Sequence, residues 1–518
     1  MSGRIHRSVM NVKVGMLFYV LSLIIAFFSR KVFLNCLGAE FIGLTGMLMN
    51  ILSFLSVAEL GIGTSIIFFL YKPIQEDNRH KINEVVSMLA FLYRCIGFII
   101  GFSGIIVSLF FPIWFDKLST GLPLVYFAFF SFLASSIAGY IFNYKQLLVI
   151  ADQKQYLVSA YFQTIGIVQS ITQILLTYYY RNLYLWVLVG LIFTIIGVIV
   201  FNHRIGQLYP WLNIDLKKGR QNLKEHPEVL KKTRQIFIQR IKDFILYHSD
   251  DLFVGIFVSV IQVAYFGNYT MIINKFNFFV NVLSVGIGDG VGNLLAEGDE
   301  NNIMKVYWEL TATRFLILGA VIFSLIMFFQ SFIGCWLGTQ YLLSEIIVYL
   351  LIFNLFLRLQ NAAVYSYIGA SGLFSDVWTA WVELVLNLSL ILLLAPTYGI
   401  IGILIAKVFG YFFISVFWKP YFLFTQGFHK TVWIFWRGMV PYYTIFTIFV
   451  IISLWTKYSI IDPYVTSLLS LAYYAIPLII LIMFFYFILL FKFTIGMKTF
   501  MARNSSIYNI LKHISFSN

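Results

Sequence analysis

Charged side chains lie inside long apolar stretches of this sequence, where a charge is costly to keep. The charged residues in such stretches include Glu59, Asp250, Asp251, Arg358 and Lys407. A charged residue at the centre of a membrane-spanning helix costs about 2.5–3.5 kcal/mol. The sequence therefore predicts a hydrated polar route through a membrane, lined by these charges.

The acidic residues could bind a coupling cation. A carboxylate held away from water favours its neutral form, so it can gain and lose a proton as its surroundings change. The candidate sites for a coupling H⁺ or Na⁺ are Asp250, Asp251, Glu59 and Glu383.

The basic residues suit an anionic cargo such as a phosphate, which an Arg side chain can hold with two parallel hydrogen bonds. The alternative is internal ion pairing, for example of Arg358 with Glu383, or of Lys275 with Asp250 or Asp251. The candidate substrate-binding cations are Arg30, Lys275, Arg314 and Arg358.

Polar residues recur at helical spacing within several apolar spans. In one span they fall on a single narrow face, from Ser159 to Thr177, at intervals of four, three, four, three and four residues. Single amides commonly join neighbouring helices, but stripes on several helices favour a hydrated cavity. The amides predicted to line it are Gln163, Gln173, Asn274, Asn277, Asn281, Asn354 and Asn361.

The composition predicts an all-α, polytopic membrane protein. Of the 518 residues, 60% are hydrophobic and 11% are charged, whereas soluble domains carry about 25% charged residues. The apolar runs are continuous rather than alternating, which argues against a membrane β-barrel. At about 20 residues a span, the chain holds about fourteen transmembrane helices, including a predicted second span over residues 41–71.

The net charge of +14 is explained by membrane topology rather than by nucleic acid. One set of alternate loops holds most of the Lys and Arg residues, including those from Arg204 to Arg234, while the other holds little beyond Lys117, Arg181 and Lys457. By the positive-inside rule the rich side is cytoplasmic. Both termini are then cytoplasmic, the basic residues face the lipid surface, and no nucleic-acid partner is expected.

Two related halves are indicated by a repeated Gly-Ile-Gly run, at 61–63 and at 286–288, an offset of 225 residues (286 minus 61). Transporters are commonly built from such repeats, with the binding site between them. The predicted division is an N-terminal six-helix bundle over 1–202, a basic cytoplasmic linker over 203–235, a C-terminal six-helix bundle over 236–424, and two extra helices with a cytoplasmic tail over 425–518.

Catalytic motifs do not stand out. The sequence contains no HExxH, GxSxG or P-loop pattern, and the cysteines Cys36, Cys95 and Cys335 are far apart. We therefore expect no enzyme activity, metal site or cofactor, and an ion gradient or the membrane potential as the energy source.

The segment from Ser29 to Pro73 resembles the N-terminal region of Wzx-type polysaccharide flippases of the MOP superfamily, which also holds MATE exporters and lipid II flippases. A weaker resemblance follows at Ser249-Asp250-Asp251 and Gly267-Asn268-Tyr269. The matching positions in the first segment are Arg30, Leu37-Gly38, Glu40, Gly43-Leu44, Glu59-Leu60-Gly61-Ile62-Gly63 and Leu70-Tyr71-Lys72-Pro73.

The resemblance implies two pseudo-symmetric six-helix bundles around a central cavity, in a multi-pass protein of the bacterial cytoplasmic membrane. It also implies that undecaprenyl-diphosphate-linked oligosaccharide moves to the outer leaflet by alternating access, for capsule, O-antigen or exopolysaccharide synthesis. Polysaccharide polymerase and glycosyltransferases are the candidate protein partners, and Arg30 is the first candidate for the diphosphate.

Two other function classes stay open on the sequence. One is a MATE-like, cation-coupled exporter of small molecules, whose cavity should be more acidic than the mixed charges found here. The other is a membrane polysaccharide polymerase or acyltransferase, which should carry a large outer loop or a catalytic His. Neither of those features stands out in this sequence.

Overall fold

The structure, a computed structural model, is helical. It describes residues 2–59, 62–116, 118–225, 245, 249–282, 287–373, 375–376 and 378–503. The elements in these ranges are α-helices with short 3₁₀ and π-helical segments, and no strand occurs among them. Ten of the described helices are long and apolar enough to cross a membrane. The predicted all-α, multi-pass fold class is therefore confirmed, while the count of fourteen spans stays a prediction.

The chain divides into two compact units, Met1–Ala264 and Tyr265–Asn518. In the first unit α1 packs along α8, α6 packs against α9, and α4 packs against α6 and α10. The first unit comprises α1 (Ser2–Leu37), α2 (Ala39–Leu55), α3 (Ile62–Gln75), α4 (Arg79–Ser108), α5 (Phe111–Trp114), α6 (Leu122–Asn143), α7 (Gln146–Ala151), α8 (Gln155–Tyr180), α9 (Leu183–Leu208), α10 (Leu216–Glu225) and α11 (Asp250–Phe257).

In the second unit, α17 packs against α18, and the long helix α14 packs against α20, α22 and α23. Its last helices therefore lie against α14. The remaining helices of the chain are α12 (Val260–Val282), α13 (Ile287–Glu297), α14 (Glu300–Leu337), α15 (Glu345–Leu359), α16 (Ala362–Ala370), α17 (Trp378–Tyr398), α18 (Ile400–Gly410), α19 (Lys419–Phe422), α20 (Trp433–Thr456), α21 (Asp462–Tyr464), α22 (Leu468–Phe493) and α23 (Ile495–Ala502).

The predicted second span over 41–71 is not one continuous α-helix. The α2 helix ends at Leu55 and a 3₁₀ segment, Ser56–Glu59, follows it. The residues after this segment include Gly61 and Gly63, and Gly is less favourable than Ala in a helix interior by about 1 kcal/mol. Because the geometry changes from α to 3₁₀, Glu59 ends the 3₁₀ segment and does not lie within one continuous α-helix.

The α14 helix is 38 residues long, which at 1.5 Å a residue gives about 57 Å, or nearly twice the thickness of the hydrocarbon core. Asp299 caps its N-terminus, because its side chain accepts hydrogen bonds from the backbone N–H groups of Asn301 and Asn302. Gly338 ends the helix with a φ of +116°, a conformation that few L-residues adopt.

The predicted cytoplasmic linker over 203–235 begins inside α9 and contains α10. Asp215 starts α10 by accepting a hydrogen bond from the backbone N–H of Lys217 at 2.8 Å, and its own N–H donates to the Ser87 hydroxyl at 3.2 Å. These contacts hold α10 on α4 of the first unit. Residues 226–235 lie outside the described ranges, and the predicted domain boundaries stay predictions.

Candidate functional site

The first unit contains a cavity of about 440 Å³ with polar and apolar side chains in its wall, bordered by α2, the 3₁₀ segment, α6, α8 and α9. Two predicted site residues, Glu59 and Gln173, lie in its wall although 114 residues separate them (173 minus 59). The wall consists of Met49, Leu52, Ser53, Ser56, Glu59, Phe132, Ser135, Ser136, Gln169, Gln173, Trp186, Gly190 and Thr194.

The Glu59 carboxylate is held by two tyrosine hydroxyls. Tyr93 on α4 donates to one oxygen at 2.6 Å, and Tyr140 on α6 donates to the other at 3.3 Å. Tyr93 is only 3% exposed, and the two tyrosine rings lie 5.8 Å apart. Hydrogen bonds to an ionised acceptor are about twice as strong as neutral ones, so this pair fixes the carboxylate at the cavity wall.

The part of the cavity wall formed by α8 and α9 carries amide and indole side chains. The Gln173 side-chain N–H donates to the backbone carbonyl of Trp186 at 2.9 Å. Phe33 and Phe41 contact the Trp186 ring edge to face. The indole nitrogen of Trp186 is buried and has no hydrogen-bond partner within the described ranges. A buried, unsatisfied N–H is uncommon in native proteins, and here it belongs to a residue of the cavity wall.

Three predicted charged residues of the first unit lie outside this cavity. Arg30 on α1 is half-buried and donates to the backbone carbonyl of Ala264 at 2.9 Å. Asp251 accepts a hydrogen bond from the Asn50 side chain on α2 at 3.1 Å, which ties α11 to α2. Asp250 is half-buried at the start of α11.

The second unit holds the other three predicted cations. Arg314 on α14 is 6% exposed, and its guanidinium donates to the backbone carbonyl of Val280 at 3.4 Å. Lys275 on α12 and Arg358 on α15 are half-buried. Burial of Arg314 requires polar partners, and a backbone carbonyl is one of them.

Two buried amides lie on α15 and in the link between α15 and α16. One buried carboxyl group lies on α17. The Asn354 amide donates to the backbone carbonyls of Leu350 and Leu404, at 2.9 and 3.2 Å, and so joins α15 to α18. Asn361 donates to the carbonyl of Ser415 in the π-helical segment that continues α18. Glu383 on α17 is 6% exposed.

The other predicted amides differ in exposure. Gln163 on α8 and Asn274 on α12 are exposed, and Asn277 is half-buried. The side chain of Asn281 lies outside the described positions. The stripe predicted on α8 therefore faces two environments, because Gln173 is buried and Gln163 is not.

Several residues in or next to the wall of the Glu59 cavity were not singled out by the sequence. Gln169 is off the spacing that runs from Ser159 to Thr177, and Tyr93, Tyr140 and Trp186 are three among many aromatic residues in apolar spans. These residues all pack between helices that are far apart in the sequence, and such packing leaves no periodic pattern in the sequence.

A second cavity, of about 370 Å³, lies in the second unit between α14, α15 and α20. Its wall is almost wholly apolar and includes Phe353, Phe356 and Phe446, with Tyr349 and Tyr443 as its polar members besides Thr447. It contains none of the predicted site residues. Within the described ranges, no group of three or more His, Cys, Asp or Glu side chains is arranged to hold a metal ion.

Two solved structures share this fold. A lipid II flippase, MurJ, in an inward closed conformation, matches 92% of this chain and 99% of its own with a TM-score of 0.65 and 14% identity. An inward-facing multidrug resistance transporter of the MATE family and MOP superfamily matches 80% of this chain and 97% of its own, with a TM-score of 0.56 and 15% identity. No protein-family model and no curated protein sequence matches the chain. The chain thus shares the helical fold of these two proteins.

Proposed function

We propose that this protein is a secondary-active flippase. It moves undecaprenyl-diphosphate-linked oligosaccharide from the cytoplasmic to the outer leaflet of a bacterial cytoplasmic membrane. The product serves capsule, O-antigen or exopolysaccharide synthesis.

The main support is the fold likeness to a lipid II flippase, which extends over 92% of this chain and 99% of that one. Under this proposal, this protein and the lipid II flippase would each transport a cargo that has a polar head and a long apolar tail. A cavity with polar side chains in its wall, inside a unit of apolar helices, is consistent with such a cargo, because a polar head group needs hydrogen-bond partners while it crosses hydrocarbon.

The proposed roles of the charged residues follow from their signs. Arg30, Lys275, Arg314 and Arg358 would contact the diphosphate during transport, since guanidinium and ammonium groups donate to phosphate oxygens. The acidic residues Glu59, Asp250, Asp251 and Glu383 would bind the coupling H⁺ or Na⁺.

The experiment is leaflet-specific detection of the lipid-linked glycan in cells depleted of the protein. We expect the intermediate to accumulate in the cytoplasmic leaflet, and re-expression to return it to the outer leaflet. Unchanged distribution of the intermediate after depletion would contradict the proposal.

A MATE-like exporter is the second candidate, because a MATE transporter matches 80% of the chain and Glu59 places a carboxylate in the cavity. Uptake of small organic cations into vesicles containing the purified protein separates the two functions. Cation transport without glycan translocation would favour the exporter.

A further inference from the structure

The hydrogen-bonding side chains of the Glu59 cavity are mostly uncharged. Hydroxyl groups carry one proton and two lone pairs each. Four hydroxyls of the wall already donate their protons to carbonyls of their own helices, so each offers only an acceptor to the cavity. The four bonds run from Ser53 to Met49, from Ser56 to Leu52, from Ser135 to Ser131 and from Thr194 to Gly190, at 2.8 to 3.0 Å.

The remaining polar groups offer both acceptors and donors, and they include the side-chain amide of Gln169 and the hydroxyl of Ser136. One N–H of the Gln173 amide is used on the Trp186 carbonyl, so this side chain offers its carbonyl oxygen and one N–H. Glu59 contributes carboxylate oxygens that already accept from two tyrosines. The indole nitrogen of Trp186 is buried and has no hydrogen-bond partner within the described ranges, so it is not counted among the groups exposed to the cavity. A complementary ligand must therefore both donate and accept hydrogen bonds.

We propose that this cavity binds one uncharged, hydroxyl-rich sugar unit of the transported glycan. The inference rests on the proposed function and adds a place for the glycan within the first unit. Sugar hydroxyls both donate and accept, so one ring can satisfy acceptors and donors of the wall together. The volume of about 440 Å³ lies within the range of about 300–1,000 Å³ that is usual for small-ligand pockets.

An organic cation fits these groups less well. Such a ligand has few hydrogen-bond donors, so it would leave the hydroxyl and amide acceptors unsatisfied, and burying unpaired polar groups is unfavourable. Among the described residues of the wall, Glu59 is the one charged residue beside seven uncharged Ser, Thr and Gln residues. The predominance of neutral hydrogen-bonding groups therefore favours a neutral sugar.

Gly190 provides a sharp test because it faces the two glutamines. A Cβ at this position would lie 3.6 Å from the amide nitrogen of Gln169 and 3.7 Å from that of Gln173, which is ordinary contact. Gly190→Ala should therefore be accommodated, whereas the longer side chain of Gly190→Leu would extend into the cavity and occupy the ligand's volume.

The binding experiment uses the purified full-length protein in lipid nanodiscs. Free hexose, N-acetylhexosamine and 6-deoxyhexose are the probes, with tetraphenylphosphonium as the cationic probe, and binding is followed by saturation-transfer NMR. We expect at least one sugar to bind saturably, with affinity reduced about tenfold or more by Gly190→Leu and reduced less by Gly190→Ala. Equal sugar binding by wild type and Gly190→Leu, or binding of the cation alone, would overturn the proposal.

A second pair of variants guards against misfolding of Gly190→Leu. Thr194→Val removes one acceptor from the wall, and we expect sugar affinity to fall by about three- to tenfold. Thr172→Val is its matched control, since the Thr172 hydroxyl also donates to a carbonyl four residues earlier, Val168, but is not part of the cavity wall. Equal affinities of the two variants would contradict a sugar site here.

The leaflet assay separates this inference from the proposed function. If wild type translocates the lipid-linked glycan and Gly190→Leu does so with the same rate and apparent affinity, the sugar site is wrong while the flippase assignment stands. If wild type binds free sugar at this cavity but translocates no lipid-linked glycan, the flippase assignment fails and the sugar site stands.

Discussion

At the scale of single residues, Glu59 depends on its two tyrosine donors. The Tyr93 bond, at 2.6 Å, is shorter than the Tyr140 bond, at 3.3 Å. Both hydroxyls approach the same carboxylate from different helices. The orientation of Glu59 in the cavity is therefore set mainly by Tyr93 on α4, with Tyr140 as the weaker partner.

We predict that Tyr93→Phe lowers the free energy of unfolding by about 1–3 kcal/mol, because a partly buried carboxylate loses its better donor while the ring packing is retained. Tyr140→Phe should cost less, since its bond is longer. The thermal unfolding midpoints of the purified variants measure both effects.

A double-mutant cycle tests the assignment to Glu59. In a Glu59→Leu background the hydroxyl of Tyr93 has lost this acceptor, so Tyr93→Phe should cost much less than in wild type. An equal loss of stability in both backgrounds would show that Tyr93 acts through its ring and not through Glu59.

At the scale of elements, the close approach of α2 to the start of α12 depends on Gly43. A Cβ on residue 43 would lie 1.8 Å from the backbone carbonyl oxygen of Val260, a distance that requires the helices to separate. At Gly46, one turn further along α2, a Cβ would lie 3.4 Å from a methyl group of Val263. The two glycines therefore have different roles within one helix.

We predict opposite effects of Gly→Ala substitution at these two positions. Ala normally stabilises a helix interior relative to Gly by about 0.5–1 kcal/mol, so Gly46→Ala should be neutral or slightly stabilising. Gly43→Ala should lower the unfolding midpoint strongly or prevent folding, because the clash is with backbone and costs about 1–3 kcal/mol or more. Scanning fluorimetry of the two purified variants is the measurement, and equal midpoints would contradict the packing.

An ion pair joins the end of α23 to α14, and its two side chains differ in burial. Arg503 donates to Glu309 at 2.6 Å, and the Glu309 side chain is 4% exposed whereas Arg503 is 56% exposed. The other Glu309 carboxylate oxygen is buried with no hydrogen-bond partner within the described ranges. Loss of Arg503 would leave a buried carboxylate without this partner, which is more costly than loss of a surface ion pair.

We predict that Arg503→Gln destabilises the protein by about 1–3 kcal/mol. The expected cost is modest because the Arg503 side chain is 56% exposed, so solvent screens the pair. Adding Glu309→Gln should restore most of the loss, since it removes the unpaired charge. Lys430→Gln, which breaks the more exposed pair with Glu300 at 3.2 Å, is the control and should change stability by at most about 0.5–1 kcal/mol. A larger effect of Lys430→Gln than of Arg503→Gln would contradict this view.

The helical fold class and the polar character of individual spans could be predicted, because continuous apolar runs and regular polar spacing are local properties of the sequence. The meeting of Glu59 with Tyr93 and Gln173 could not, since it depends on which helices become neighbours. The 3₁₀ segment at Ser56–Glu59 was not predicted either, because the span from 41 to 71 is mainly apolar and Gly63 only weakens a helix.

At the scale of the whole molecule, orientation in the membrane is a prediction that follows from charge. The α10 helix carries the exposed residues Lys217, Lys218, Arg220 and Lys224, which the positive-inside rule places in the cytoplasm. Arg181 is exposed just before α9. The α9 helix has 26 residues, or about 39 Å, which is enough to cross the hydrocarbon core. Arg181 and Lys217 are therefore expected on opposite sides of the membrane.

We predict the outcome of cysteine labelling with a membrane-impermeant maleimide on spheroplasts. The background replaces Cys36, Cys95 and Cys335, which are all half-buried free thiols, with Ser. Arg181→Cys should react on intact spheroplasts, whereas Lys217→Cys should react only after permeabilisation. Labelling of both positions on intact spheroplasts would contradict the crossing by α9. If Lys217→Cys reacted on intact spheroplasts and Arg181→Cys only after permeabilisation, the proposed orientation would be inverted.

The same assay tests the even number of spans. Lys13 at the start of the first span and Lys498 on α23 are both exposed. If about fourteen helices cross the membrane, both termini lie on the side of α10, so Lys13→Cys and Lys498→Cys should both require permeabilisation. Labelling of only one of them on intact spheroplasts would mean an odd number of crossings. In that case the positive-inside assignment would hold for one half of the chain alone, and the paired arrangement of two six-helix bundles plus two helices would be wrong.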